Sequence, residues 1–215
     1  MNNKPILKKA ILRKPVLKKP RHPIVLASAS VYKKQLLERL QIEFTTHAPD
    51  IDETIEANEK PRIAALRLAK QKANILDKYY QQSNTLIIGC DQVAFINDGQ
   101  TDPYLGKPGT RENAFAQLKR SSGNTIYFYT AFYVHQTLKN KFTSHIDVTK
   151  AKYRTLSDVE INDYLDRENA LDCAGSCKIE GLGISLLEEV VSKDPSALIG
   201  LPLIKLNAAL NKFSL

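Results

Sequence analysis

The residues best suited to chemistry in this chain are carboxylates, lysines and serines beside apolar runs. Asp50, Asp52 and Glu53 crowd three carboxylates into four residues. Asp91 follows the run Leu86-Ile-Ile-Gly-Cys90, where side chains gather at the crevice outside a strand's carboxyl end. Lys107 lies between Gly106 and Pro108, in a turn that fixes its backbone. Near the start of the body, Ile24-Val-Leu-Ala27 leads into Ser28, Ser30, Tyr32, Lys33 and Lys34. Ser30 suits an N-cap, and a helix N-terminus offers free N–H groups and partial positive charge to an anion. Cations for phosphate oxygens, carboxylates for a divalent metal and a base for attacking water together make the inventory of phosphate chemistry. Each segment also has a plainer reading. The serines fit an ordinary capped helix with solvated lysines, Asp50 and Asp52 fit the start of a turn, and Lys72 fits an exposed helical lysine.

The elements that must position these groups follow from hydrophobic periodicity. Strand 24–28 leads into helix 31–40, and a less regular strand is expected over 41–48. Pro61 opens a helix running to Lys78. A buried strand over 85–89 continues past Asp91 to Ile96, and the polar, Gly/Pro-bearing stretch 97–109 is a loop. A helix over 111–120 turns Ala114, Phe115 and Leu118 inward, and strands follow at 124–136 and 142–153. Ser157 and Glu160 form a capping box for a helix to Leu165. A turn-rich loop over 175–183, an apolar segment over 184–191 and a helix over 201–210 complete the chain. Strands and helices alternate without strict βαβ regularity, so the fold is α/β, a mixed twisted sheet flanked by helices.

Composition narrows the class. The 215 residues are 43% hydrophobic, enough for one sizeable core in a single large domain or two lobes. No apolar run reaches the ~20 residues of a membrane-spanning helix. The N-terminal segment is broken by lysines and prolines, so no signal peptide is expected. Three cysteines, Cys90, Cys173 and Cys177, do not make a disulfide framework, and a cytoplasmic setting fits best. No second Cys or His pair completes a zinc set with Cys173 and Cys177. The net charge of +8 belongs to residues 1–22, which carry eight basic residues and no acid; beyond them 23 basic residues face 23 acidic ones. This stretch repeats a Pro/Ala-aliphatic-aliphatic-basic-basic period of five. Its prolines oppose a regular helix, so it reads as a mobile arm before a domain over 23–215. A solvated extension is favoured over specific nucleic-acid binding, because basic tails hold polyanions weakly and without sequence preference.

Seven segments in order resemble the Maf-type nucleoside triphosphate pyrophosphatases over about residues 23–210. They are Leu26-Ala-Ser-Ala-Ser30, Ala48-Pro-Asp-Ile-Asp-Glu-Thr54, Arg67-Leu-Ala-Lys-Gln-Lys-Ala73, Ile87-Ile-Gly-Cys-Asp-Gln-Val93, Gly106-Lys-Pro108, Ala174-Gly-Ser176 and Gly200-Leu-Pro-Leu203. Gln92 and the Lys178-Ile-Glu-Gly181 stretch look most like the 7-methyl-GTP pyrophosphatase subgroup. The resemblance implies a two-lobed α/β fold with a central cleft, similar to the inosine triphosphatases, and often a homodimer. It implies hydrolysis of 7-methyl-GTP to 7-methyl-GMP and pyrophosphate with a divalent cation, magnesium or manganese. It would make Asp91 the proton acceptor and Lys72 and Lys107 the groups offsetting polyphosphate charge. Ser28, Ser30 and Lys33 would hold phosphate, Glu53 would help bind metal, and Tyr32, Gln92 and Glu180 would set base specificity. Two alternatives remain: a dTTP/UTP pyrophosphatase of the same family, and a non-catalytic nucleotide- or nucleic-acid-binding protein using the basic arm. The chain departs from the family pattern where Lys33 and Lys34 replace paired arginines, since lysine keeps the charge but loses the bidentate fork. The loop 97–105 also looks longer than the family's.

Overall fold

The structure is a computed structural model describing residues 21–100 and 102–213. Residues 1–20, most of the expected basic arm, lie outside the described residues. Among the described residues six strands form one sheet in the order β2-β1-β3-β4-β5-β6. They are β1 (Ile24–Ala27), β2 (Thr45–Thr46), β3 (Leu86–Ile96), β4 (Thr125–Gln136), β5 (Lys141–Tyr153) and β6 (Leu187–Val191). β1 is parallel to both neighbours, whereas β3 to β6 run antiparallel. The sheet is therefore mixed, as expected.

β1 ends at Ala27, opposite Gly89, but β3 continues to Ile96 along β4. From Cys90 to Ala94 the other side of β3 has no strand neighbour among the described residues, and only at Phe95 does an isolated bridge to Tyr104 take over. A crevice opens at this switch from parallel to antiparallel pairing.

Among the described residues six α-helices flank the sheet: α1 (Val31–Glu38), α2 (Pro61–Ile75), α3 (Asp77–Tyr80), α4 (Arg111–Ser121), α5 (Asp158–Arg167) and α6 (Leu203–Phe213). Ser30 caps α1 by accepting the Lys33 N–H at 3.4 Å. The expected capping box of α5 is present in both directions. Period-two alternation divides β3. Leu86, Ile88 and Cys90 pack with α1 and α6, whereas Ile87 and Val93 face the alanine-rich side of α2. Gly89 is the point of closest approach. A Cβ there would strike the Ala69 carbonyl oxygen and come within 2.8 Å of the Ala73 nitrogen.

Two expectations are corrected. The strand over 41–48 shrinks to Thr45–Thr46: Gln41 sits at φ 53°, and both strand residues are exposed, so little burial supports a longer ladder. The helix from Pro61 stops at Ile75, because the Leu76 N–H reaches back to Ala73 and tightens the turn before α3.

Candidate active site

The crevice holds a cavity of about 440 Å³, lined from the β1–α1 turn, α2, β3, the 104–107 turn and the segments around 172–180 and 198–200. Of the ten residues that the resemblance gave a site role, nine line it and Ser28 does not; of the carboxylate cluster, Glu53 lines it but Asp50 and Asp52 do not.

Lys72 and Asp91 form its floor. Ala65, Leu68 and Ala69 make the buried stripe of α2, and Lys72 continues that stripe at helical spacing. Asp91, two residues beyond Gly89, points to the same face of β3. Lys72 Nζ lies 2.5 Å from Asp91 Oδ1 and 2.7 Å from Glu53 Oε1. Burial works against the Lys72 charge, but Asp91 and Glu53 outweigh it and hold its pKa above the usual value. Burial likewise opposes ionisation of Glu53. Lys72 first, then Lys107 and Lys33, override it and keep the Glu53 carboxyl below its usual range. The loop carrying Glu53 is tied down by Arg67, which donates to Glu59 through Nε and Nη2 and to the Thr54 carbonyl at 3.0 Å. Tyr104 donates to the Glu59 carbonyl from the opposite wall.

The cationic end combines Lys33 and Lys107 with the start of α1. Lys33 Nζ donates to the Cys90 carbonyl at 3.1 Å, taking up part of the open edge of β3. Gly200, at φ 132°, leaves room for this side chain, since a Cβ there would come 3.3 Å from Lys33 Cε. Ser28 Oγ accepts the Ser30 N–H at 3.1 Å, so the two serines brace the turn, and Ser30 faces the cavity. Lys107 is exposed and lines the same cavity.

The other end is acidic and aromatic. Tyr32, Asp172, Cys173 and Glu180 line it together. The Tyr32 hydroxyl donates to Asp172 Oδ1 at 3.4 Å. Burial, then Cys173 and Asp172, push the tyrosine pKa well above its usual value. Burial and the Asp172 charge push the Cys173 thiol up to about 12, so it is no nucleophile at neutral pH. Gln92 alternates away from Asp91. Its amide nitrogen donates to Thr130 Oγ1 and to the Ala197 and Leu198 carbonyls at 2.9–3.0 Å, which fixes the 197–200 segment against the cavity. Asp172 and Tyr104 were not singled out in the sequence. Asp172 is two residues from the Ala174-Gly-Ser176 segment, and that proximity was the available signal.

Among the described residues no three His, Cys, Asp or Glu side chains cluster as a metal cage. The donor set still fits a hard divalent cation of the magnesium kind, which uses one or two carboxylates with substrate phosphates and keeps several waters. Glu53 is ionised and its side chain 53% exposed.

A sheet-edge crevice with carboxylates and lysines on its floor defines an α/β protein with a polar ligand cleft. The chain belongs to the Maf-like protein family, whose model matches residues 23–213. A 7-methyl-GTP pyrophosphatase of Saccharophagus degradans is 46% identical over 187 residues, 87% of this chain and 92% of that one. The protein of the same name from Xanthomonas oryzae pv. oryzae is 48% identical over 183 residues, 85% of this chain and 92% of its own length. That from Methylobacillus flagellatus is 44% identical over 184 residues, covering 86% and 93%. The crystal structure of a nucleoside-triphosphatase / dITP/XTP pyrophosphatase from Mycobacterium abscessus superposes with a TM-score of 0.42 at 16% identity, covering 62% of this chain and 75% of that one. No helix among the described residues is long and apolar enough to cross a membrane.

Proposed function

We propose that this protein is a nucleoside triphosphate pyrophosphatase that prefers 7-methyl-GTP, releasing 7-methyl-GMP and pyrophosphate. The observation that carries this reading is the grouping of charge in one cavity: Lys72, Lys107 and Lys33 all act on Glu53, whereas Asp172 and Glu180 act on Tyr32. A ligand with an anionic polyphosphate and a cationic base matches both ends. The 7-methylguanine ring carries positive charge and presents N–H donors on its Watson–Crick edge. Glu180 accepts those donors and offsets the charge. The Tyr32 face stacks on the cationic ring, adding about 1–2 kcal/mol. Family membership and the names of the relatives support the same reading.

In this mechanism Ser30, Lys33 and the N–H groups opening α1 hold the phosphates. Asp91 accepts Lys72 on Oδ1, which leaves Oδ2 to take a proton from water. The water oxygen bonds to the α-phosphorus, the bridging α–β P–O bond breaks, and pyrophosphate leaves with its electron pair. Lys72 and Lys107 offset the charge that gathers on the leaving group. Glu53, with the substrate phosphates, would hold magnesium or manganese, which supplies further neutralisation of phosphate charge when bound.

The test is pyrophosphate release by the full chain across standard and methylated nucleoside triphosphates with magnesium or manganese. Preference for 7-methyl-GTP supports the proposal. Preference for dTTP or UTP reassigns the substrate, and no release from any nucleotide removes the enzymatic reading.

A further inference from the structure

We infer that Glu168 is a positioning residue that sets the preference for a cationic base by holding the Lys178 ammonium away from Glu180. The inference deepens the reading of the acidic end given above and rests on it.

Lys178 and Glu180 belong to one tight turn. The Lys178 carbonyl accepts the Gly181 and Gly183 N–H groups at 3.0 Å, and its own N–H donates to the Tyr164 hydroxyl at 3.0 Å. Glu180 lines the cavity, whereas Lys178 does not. Lys178 nevertheless bears on the same end: its Nζ lies 5.9 Å from the centre of the Tyr32 ring, within cation–π range. Left alone, that cation would oppose a positively charged base and compete for Glu180.

Glu168, at the C-terminal cap of α5, prevents both effects. Its Oε1 lies 2.8 Å from Lys178 Nζ and its Oε2 accepts the Leu182 N–H at 3.0 Å. The Lys178 and Glu168 side chains are only 25% and 13% exposed, so solvent screens the pair incompletely. Glu168 thus neutralises the lysine and fixes its stem. Glu180 forms no ion pair among the described residues and stays open to the ligand. The electrostatic pull on Lys178 comes from Glu168 first, with Glu180 also acting on it. With Glu168 uncharged, Glu180 is the carboxylate left to attract the ammonium. Lysine's flexible four-carbon stem lets it turn there.

A mere brace and a charge guard differ in how their mutations combine. Initial rates with 7-methyl-GTP and GTP are measured for the full-length wild type, Glu168→Gln, Lys178→Met and the double variant. Glutamine keeps an oxygen for the Leu182 N–H, and methionine keeps the apolar stem beside Tyr32. Glu168→Gln is expected to lower the ratio of kcat/KM for 7-methyl-GTP over GTP about tenfold, the scale of one charge-assisted hydrogen bond, chiefly through KM. Lys178→Met is expected to keep the wild-type ratio, and the double variant to regain it because the competing cation is gone. A double variant as unselective as Glu168→Gln, or a Lys178→Met variant that loses the ratio by itself, overturns the inference. A wild type without preference for 7-methyl-GTP overturns the underlying reading first, and the wild-type rates alone show it.

Discussion

Replacing Lys72 with methionine removes the ammonium that touches both Asp91 and Glu53. The Lys72 and Asp91 side chains are only 8% and 9% exposed, so their contact is a buried ion pair. Removing one partner of such a pair costs about 3–5 kcal/mol, because an uncompensated charge stays inside. For a domain of this size each kcal/mol moves Tm by roughly 2–4 °C, so the expected drop is roughly 6–20 °C. Asp91→Asn alone is expected to cost about 1–2 kcal/mol, since Lys72 keeps Glu53 at 2.7 Å. The double variant leaves no buried unpaired charge on the floor, only Glu53, whose side chain is 53% exposed. It should be more stable than the sum of the single losses implies, with a coupling of about 2–3 kcal/mol. The folded pKa of Lys72 lies above its usual 10.5, so its contribution is fully present below pH 10.5 and is lost only as pH rises through the folded value. The penalty of Lys72→Met should therefore be the same at pH 6 and pH 9. Guanidinium denaturation of the four proteins at both pH values tests this. Additive losses, or a Lys72→Met variant within about 1 kcal/mol of wild type, would refute the buried-pair argument.

Asp91→Asn should abolish pyrophosphate release while calorimetry still detects nucleotide binding; near-normal turnover would remove Asp91 from the role of base. Glu180→Gln should weaken turnover of 7-methyl-GTP about tenfold more than that of UTP, and equal losses on both would sink the assignment of base recognition. Gly89→Ala should destabilise by about 1–3 kcal/mol or more, because the new methyl collides with the α2 backbone at Ala69 and Ala73; a melting temperature equal to wild type would show that the helix can shift freely.

Much of the site could be read along the chain because its parts are local. Ser30 capping α1 and the Ser157–Glu160 box are short-range patterns, and both appear where periodicity placed them. Lys72 looked like any helical lysine, but its position on the Ala65-Leu68-Ala69 stripe marks it as inward-facing. The separate directions of Asp91 and Gln92 also follow from strand alternation. Asp91 lies within β3, which continues past it to Ile96 as expected, and the crevice exists because β1 ends first. That ending depends on tertiary pairing, which no local window contains. The contact of Lys178 with Tyr32 is illegible for the same reason, since 146 positions of chain separate the two residues.

The early end of β1 also bears on how the molecule avoids its own kind. Unpaired strand edges are templates for aggregation, and among the described residues this sheet leaves them at β2, at β6, along β5 from Lys141 to Thr149 and along the inner stretch of β3. The outer edge at β2 is only two residues long. The outer edge at β6 carries Glu188 and Glu189 and an irregular register against β5. The inner stretch of β3 lies recessed in the crevice with Lys33 bonded to the Cys90 carbonyl. A foreign strand cannot lie down there, but a small anion can reach the lysine. The same gap in the sheet therefore admits a ligand and denies a partner chain.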